Sequence, residues 1–209
     1  MKLTNIFEDI LKLEYMQNDR AKSGQYTFNH EKIIKNILLQ YNLKLKTVKV
    51  PFKHIDDNDY IKNIINSEEF IYQPAGTQHP PDFIINYKNH IIRLGCKSNR
   101  SGTPTWNDNY PKESYIYIFT SKKYNATTFF FGEDVISPDV KAKLIEAKAK
   151  MMELRELFKD IDSNRGFRAI FRFKVEQYGK NKDYFKHKDR SKLEARVLSF
   201  IRSIDEGER

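Results

Sequence analysis

Two runs of strand-forming residues, 82–87 (DFIINY) and 91–98 (IIRLGCKS), stand on either side of Lys88-Asn89-His90, and few folds accommodate that arrangement. β-type runs bracketing a short polar turn predict an antiparallel hairpin. Side chains alternate across a strand, so Ile92, Leu94 and Cys96 share one face of the second run, while Arg93, Gly95 and Lys97 share the other. The apolar set must face a core. Lys97 is then expected to point outward, toward whatever Asp82 presents from the preceding strand.

The remaining pattern supplies helices and further strands around this hairpin. Apolar positions Leu3, Ile6, Ile10, Leu13 and Met16 mark a helix over 3–16, and a polar stretch with Gly24 marks a loop over 18–25. Asn29 suits the N-cap of a helix over 30–41 that turns Ile33, Ile34, Ile37 and Leu38 inward. Strands are expected over 45–52, 70–72, 115–121 and 127–132, with a short helix over 60–65 and a polar loop over 99–111. Pro138-Asp139 opens the longest helix, to about 160; 167–178 alternates basic and apolar residues and reads as strand or extended chain; Ser191 caps a last helix. The class is α/β, a central mixed sheet of about five strands flanked by helices, in a single domain over 1–209.

Composition narrows what such a domain does. With 39% hydrophobic residues, 15 Phe and 12 Tyr among 209, a packed aromatic core is affordable, and 31% charged residues of mixed sign argue against disorder. No apolar run approaches the roughly 20 residues of a membrane span, and the amino-terminal stretch does not read as a secretory signal. One cysteine, Cys96, excludes an intrachain disulfide and fits a reducing cytoplasm. Five histidines lack zinc-ligand spacing. The net charge of +9 favours a polyanionic partner.

Asp82 follows Pro81, and Lys97 lies on the adjoining run. Such a pair can hold a hydrated divalent cation against a phosphate. Hard oxygen ligands suit Mg²⁺, which keeps several waters and takes one or two carboxylates. Asp82 would be the first ligand and the main-chain carbonyl of Cys96 another, while Lys97 orients the attacking water. Alternatively, Asp82 terminates a turn. The Cys96 side chain reads as a core residue, not a nucleophile.

Pro81-Asp82-Phe83, a hairpin of about ten residues and then Leu94-Gly95-Cys96-Lys97-Ser98 resemble the PD-(D/E)xK nucleases, specifically type II restriction endonucleases. The flanking stretches QPAGTQHPPDF, SGTPTWNDNYPK, YIYIF and FFFGEDVI add to the likeness, which covers about residues 70–136 as a restriction-endonuclease-like core. The resemblance implies a sequence-specific double-stranded DNA endonuclease that uses Mg²⁺, acts as a homodimer and has a cognate DNA methyltransferase as genetic partner. Gly95 departs from the pattern, because that position carries Glu or Asp as a metal ligand. Three explanations compete. An inactivating substitution is the preferred one, since one base change turns a glutamate codon into a glycine codon. The acid has otherwise moved, to Glu31, Asp108 or Glu113, or the fold has lost catalysis and only binds DNA. A resolvase or nicking enzyme of the same superfamily is a further alternative.

Candidate DNA contacts follow the lysine directly: Asn99, Arg100, Thr105, Trp106, Asn107 and Asn109, with Gln73 and Gln78 ahead of Asp82. Trp106 either stacks on DNA or anchors packing. Arg165, Arg168, Arg172 and Lys174 alternate with Phe167, Ala169, Phe171 and Phe173, which predicts one basic strand face. The stripe Leu144, Ala147, Met151, Leu154 and Phe158 marks either a dimer interface or packing on the chain's own sheet.

Overall fold

The hairpin forms, and it sits in the middle of a larger sheet. The computed structural model describes residues 2–15, 27–77, 79–107, 110–157, 172–174 and 183–207, with backbone alone for 27–29 and 172–174. Strand β3 (Phe83–Tyr87) pairs antiparallel with β4 (His90–Asn99) from Tyr87 opposite His90 to Phe83 opposite Leu94. Lys88 and Asn89 between them take φ of 48° and 64°. Two left-handed residues make the tight turn whose twist matches that of the flanking strands.

Six strands form one mixed sheet in the order β1 (Lys44–Leu45), β2 (Glu69–Tyr72), β3, β4, β6 (Ile116–Ser121), β7 (Ala126–Phe131). The β1–β2 and β4–β6 pairs are parallel and the others antiparallel. The α/β class and the helix-flanked mixed sheet are as the pattern predicts, with six strands in place of about five.

One face carries the main core. Helices α1 (Leu3–Leu11), α2 (Thr27–Gln40) and α5 (Arg190–Glu206) bring Ile6, Phe7, Ile34, Leu38, Val197 and Ile201 against Phe83, Ile85, Ile92, Leu94, Cys96 and Ile118. The face of Arg93 and Gly95 is covered too, which strand alternation alone did not predict. Helix α3 (Asn58–Ile64) and the preceding turn close a second cluster of Val50, Ile55, Ile61, Ile65, Ile71 and Ile84. Beside it lies an aromatic cluster of Trp106, Tyr115, Tyr117, Phe119, Phe130 and Tyr184. Arg93 is thus buried and donates to the Ile55 carbonyl (2.8 Å) and Asn58 Oδ1 (2.7 Å).

Several boundaries move. The strand expected over 45–52 pairs only at Lys44–Leu45; its continuation stays extended, with Lys46 N–H donating to Phe70 O (2.8 Å) and Val50 N–H to Pro74 O (2.9 Å). Helix α1 ends at Leu11, not 16, and α5 is preceded by Asp189 at its N-cap, with Ser191 inside the first turn. The loop over 99–111 contains β5 (Thr105–Asn107), paired with β8 (Arg172–Lys174); the rest of 167–178 and the whole loop over 18–25 lie outside the described residues. Helix α4 (Pro138–Glu156), capped by Ser137 Oγ, has no buried residue, so it does not pack into the domain's own core; Phe158 lies outside the described residues.

Asp205 on α5 ties the first helix to the last. Its carboxylate accepts from the Leu3 N–H (2.8 Å), the Thr4 N–H (2.7 Å) and the Thr4 hydroxyl (2.5 Å), satisfying amides that a helix start leaves unpaired. Burial pushes this carboxyl up, but the hydrogen bonds from Thr4 and Leu3 outweigh it and hold the pKa below 3.8. The bond's stabilisation is therefore present above pH 3.8 and is lost as pH falls through the lower folded value. Asp205→Ala is expected to cost about 1–2 kcal/mol in urea unfolding at pH 7, and to shrink the difference between variant and parent near pH 2.

Candidate functional site

Asp82 stands where three strands come together. Its N–H donates to Leu94 O (2.8 Å) on β4, and its carbonyl accepts from the Gln73 N–H (2.8 Å) just past the end of β2. With the backbone pinned on both sides, the side chain reaches β4, where Oδ2 accepts the Cys96 N–H at 2.5 Å. Lys97, the next residue of β4, is half-buried, with Nζ 5.9 Å from the centroid of the Trp106 ring. The pairing expected from alternation, Asp82 against Lys97, is not a direct ion pair; burial raises the Asp82 pKa, and the charge of Lys97 opposes that rise.

A third group joins them from the helical layer. Glu31, on the first full turn of α2, is 7% exposed. Its Oε2 accepts from both the Tyr72 hydroxyl (3.0 Å) and Gln73 Nε2 (3.1 Å). Burial first, and then the negative charge of Asp82, push the Glu31 pKa up to about 7, against the weaker pull of the two donors and Lys97. Burial likewise raises Asp82, opposed by Lys97 and the Cys96 N–H. Two carboxylates crowded this way are held at a cost, and such perturbed groups gather at functional sites. Each has one oxygen engaged by a donor, leaving Asp82 Oδ1 and Glu31 Oε1 for a further ligand.

Gly95 lies opposite Tyr117 in the parallel β4–β6 register. A Cβ on this glycine would stand 2.6 Å from Tyr117 Cε1 and 2.7 Å from Cδ1. The ring cannot easily retreat. Trp106 packs against it edge-on at 5.3 Å, Phe130 stacks at 6.1 Å, and its hydroxyl accepts the Lys112 N–H (2.9 Å). An aromatic ring laid over a strand glycine restores packing that the missing side chain forfeits. A carboxylate at 95, as the sequence expectation of a lost acid implies, requires the Tyr117 ring to shift from where it lies over Gly95. Of the displaced-acid candidates, Glu31 reaches Asp82 and Lys97, Glu113 pairs with Lys141 (2.9 Å), and Asp108 lies outside the described residues.

The expected DNA contacts divide. Arg100 and Asn107 are exposed, while Asn99 and Thr105 are half-buried and turn toward Thr103 O. Trp106 is only 3% exposed and anchors the aromatic cluster, so stacking on DNA is corrected to packing. Gln73 holds Glu31 instead of facing outward, and its φ of 49° fixes the turn that brings it there. Gln78, Asn109, Arg165 and Arg168 lie outside the described residues, and Arg172 and Lys174 are described only as backbone of β8. The Cys96 side chain is buried in the core and its thiol pKa is raised, first by burial and then by Asp82 and Glu31, so it is no nucleophile. Tyr72 and Tyr117 were missed by sequence reasoning; Tyr117 was readable only once β4 and β6 were placed side by side.

The donor set suits a hard divalent cation. Two carboxylates and a main-chain carbonyl match what a largely hydrated Mg²⁺ accepts. Among the described residues, no group of three or more His, Cys, Asp or Glu side chains forms a denser metal cage. No family model, curated protein or solved structure matches this chain.

Between pH 4.5 and about 7 the folded Glu31 carboxyl keeps a proton that the unfolded chain has already lost, so stability falls as pH rises through that window. Glu31→Gln is expected to raise urea stability at pH 8 by about 1–3 kcal/mol after allowance for solvent screening, with the gain vanishing below pH 4.5. A glutamate with a purely structural role gives the opposite sign. Gly95→Ala is expected to cost about 1–3 kcal/mol from overpacking, and clearly less in a Tyr117→Leu background.

Proposed function

We propose that this protein is a Mg²⁺-dependent DNA endonuclease of the restriction type in which Glu31, from helix α2, takes the place of the acid absent at position 95. The observation that carries this reading is the convergence of Glu31, Asp82 and Lys97, with Glu31 and Asp82 raised in pKa by their burial and Glu31 also by the charge of Asp82. Asp82 Oδ1, Glu31 Oε1 and the Cys96 carbonyl would hold the ion. Bound there, Mg²⁺ supplies polarisation of a phosphoryl oxygen and a water acidic enough to attack. Lys97 orients that water and offsets charge developing on the phosphate. Tyr72 and Gln73 fix the Glu31 carboxylate through Oε2, so Oε1 would be the oxygen that holds the ion.

The charge of +9 supports a nucleic-acid substrate. A homodimer on a two-fold DNA site would use helix α4, where Val140, Ile145, Met152 and Leu154 are exposed, followed by Leu157 at its C-cap. A cognate methyltransferase is then the expected genetic partner. The packing of Tyr117 over Gly95 favours one second reading, a DNA-binding protein on this fold without catalysis.

Incubating the protein with a diverse plasmid or phage DNA pool and Mg²⁺ separates the two. Discrete fragments are expected, absent with EDTA. Asp82→Asn, Lys97→Ala and Glu31→Gln should each lower the rate at least about a hundredfold, the effect of removing several kcal/mol of transition-state stabilisation. Intact DNA under all divalent-ion conditions rules out the enzyme, and full activity in Glu31→Gln removes that residue from the site.

A further inference from the structure

The segment from Lys44 to Lys53 carries four lysines and no acidic residue. Lys44, Lys46, Lys49 and Lys53 are all exposed. None of them has an ion-pair partner among the described residues. The segment begins as edge strand β1 and continues extended along the sheet border, held by Lys46 N–H to Phe70 O and Val50 N–H to Pro74 O. That second bond sets its far end one residue from Gln73, which holds Glu31.

At this end the chain exposes an aromatic ring. Phe52 is 54% exposed and lies against His79, centroids 5.0 Å apart and tilted by 47°. Lys112 Nζ stands 5.8 Å from the same ring. His79 is itself exposed and precedes Asp82 by three residues. Lysines on an edge strand discourage edge-to-edge pairing, which accounts for Lys44 and Lys46. It does not account for Lys49 and Lys53, which lie beyond the strand, or for an exposed Phe packed on His79.

We propose that residues 44–53 are a track for the phosphate backbone of a DNA strand flanking the site, ending in Phe52 on His79 as a platform for an unpaired base. Lys44, Lys46 and Lys49 lie on strand and irregular chain, and Phe52 and Lys53 open a 3-10 turn over Phe52–His54. Exposed ammonium groups spaced this way meet phosphates at any sequence, and an exposed ring accepts the face of any base. The inference rests on the DNA reading above and adds to it a second contact surface and a preference: duplex with a single-stranded flank over blunt duplex.

The test is fluorescence anisotropy of the full-length protein with labelled blunt and tailed duplexes, in EDTA so that no cutting intervenes. In the Lys44→Ala, Lys46→Ala, Lys49→Ala, Lys53→Ala protein the slope of log affinity against log salt should fall by about three to four, roughly one per lost contact, and the four Lys→Arg changes should keep it. Phe52→Ala should weaken the tailed duplex by about fivefold or more, leave the blunt duplex within about twofold, and be rescued by Phe52→Trp. Unchanged slope in the four-alanine protein, or equal loss on blunt and tailed DNA with Phe52→Ala, overturns the track even if Mg²⁺-dependent cutting is found. A parent protein that shows the expected slopes but never cuts keeps the track and loses the nuclease. A parent that does not bind DNA loses both.

Discussion

Two carboxylates and an ammonium held at the rim of an apolar core are the constraint around which the rest of this molecule is arranged. Asp82 and Glu31 would each be cheaper in water, and side by side they raise one another's cost further. Their position is enforced by groups that have little freedom. The backbone of Asp82 is fixed by β4 and the end of β2, its Oδ2 by a β4 amide, and Glu31 by a tyrosine and a glutamine from neighbouring positions of one strand end. Because those partners belong to the sheet, the charged cluster cannot relax apart without breaking strand pairing. A fold that spends stability in this way keeps each carboxylate fixed through one oxygen and leaves the other without a donor among the described residues.

Strand β4 is the physical spine of that arrangement. It pairs antiparallel with β3 on one side and parallel with β6 on the other, and it outruns β3, so its last residues emerge from beneath cover. Leu94 and Cys96 lock one face into the main core, and Arg93 and Gly95 lie under the second layer; Lys97 comes first among residues with room to expose a charge. The glycine is part of the same geometry. With Tyr117 across it, β4 and β6 carry an aromatic wall that reaches Trp106, and the lysine ammonium rests near that wall. The ring that excludes a side chain at 95 thus also shapes the environment of Lys97.

How much of this the amino-acid sequence disclosed depends on whether a signal is local. The hairpin, its turn and the alternation of Ile92, Leu94 and Cys96 are written in adjacent residues, and all three appear in the fold. Asp82 and Lys97 were legible for the same reason, being fifteen positions apart on paired strands. Glu31 was only one candidate among three, because its approach to Asp82 depends on how α2 docks, and nothing near Glu31 in the chain encodes that. Trp106 illustrates a converse failure. A tryptophan in a polar loop offers no local sign of burial, yet β5 pairing with the distant β8 folds it onto Tyr117. The strand over 45–52 was overextended because alternation persists where pairing does not: β1 pairs with β2 only at Lys44 and Leu45, although β2 runs on to Tyr72.

The proposed use of Glu31 in place of an acid at 95 is a matter of geometry more than of chemistry. A ligand oxygen matters by where it sits, and a strand residue and a helix residue can reach one point from different layers. A strand position without a side chain, whose neighbour in the parallel register is aromatic, lets a ring lie against the backbone, as Tyr117 does at Gly95. An acid at 95 would have to displace Tyr117 from between Trp106 and Phe130, while an acid at 31 leaves the aromatic cluster intact and requires only the Tyr72 and Gln73 donors to orient it. The glycine at 95 thus serves the aromatic cluster, while the buried glutamate at 31 is held by a separate pair of donors.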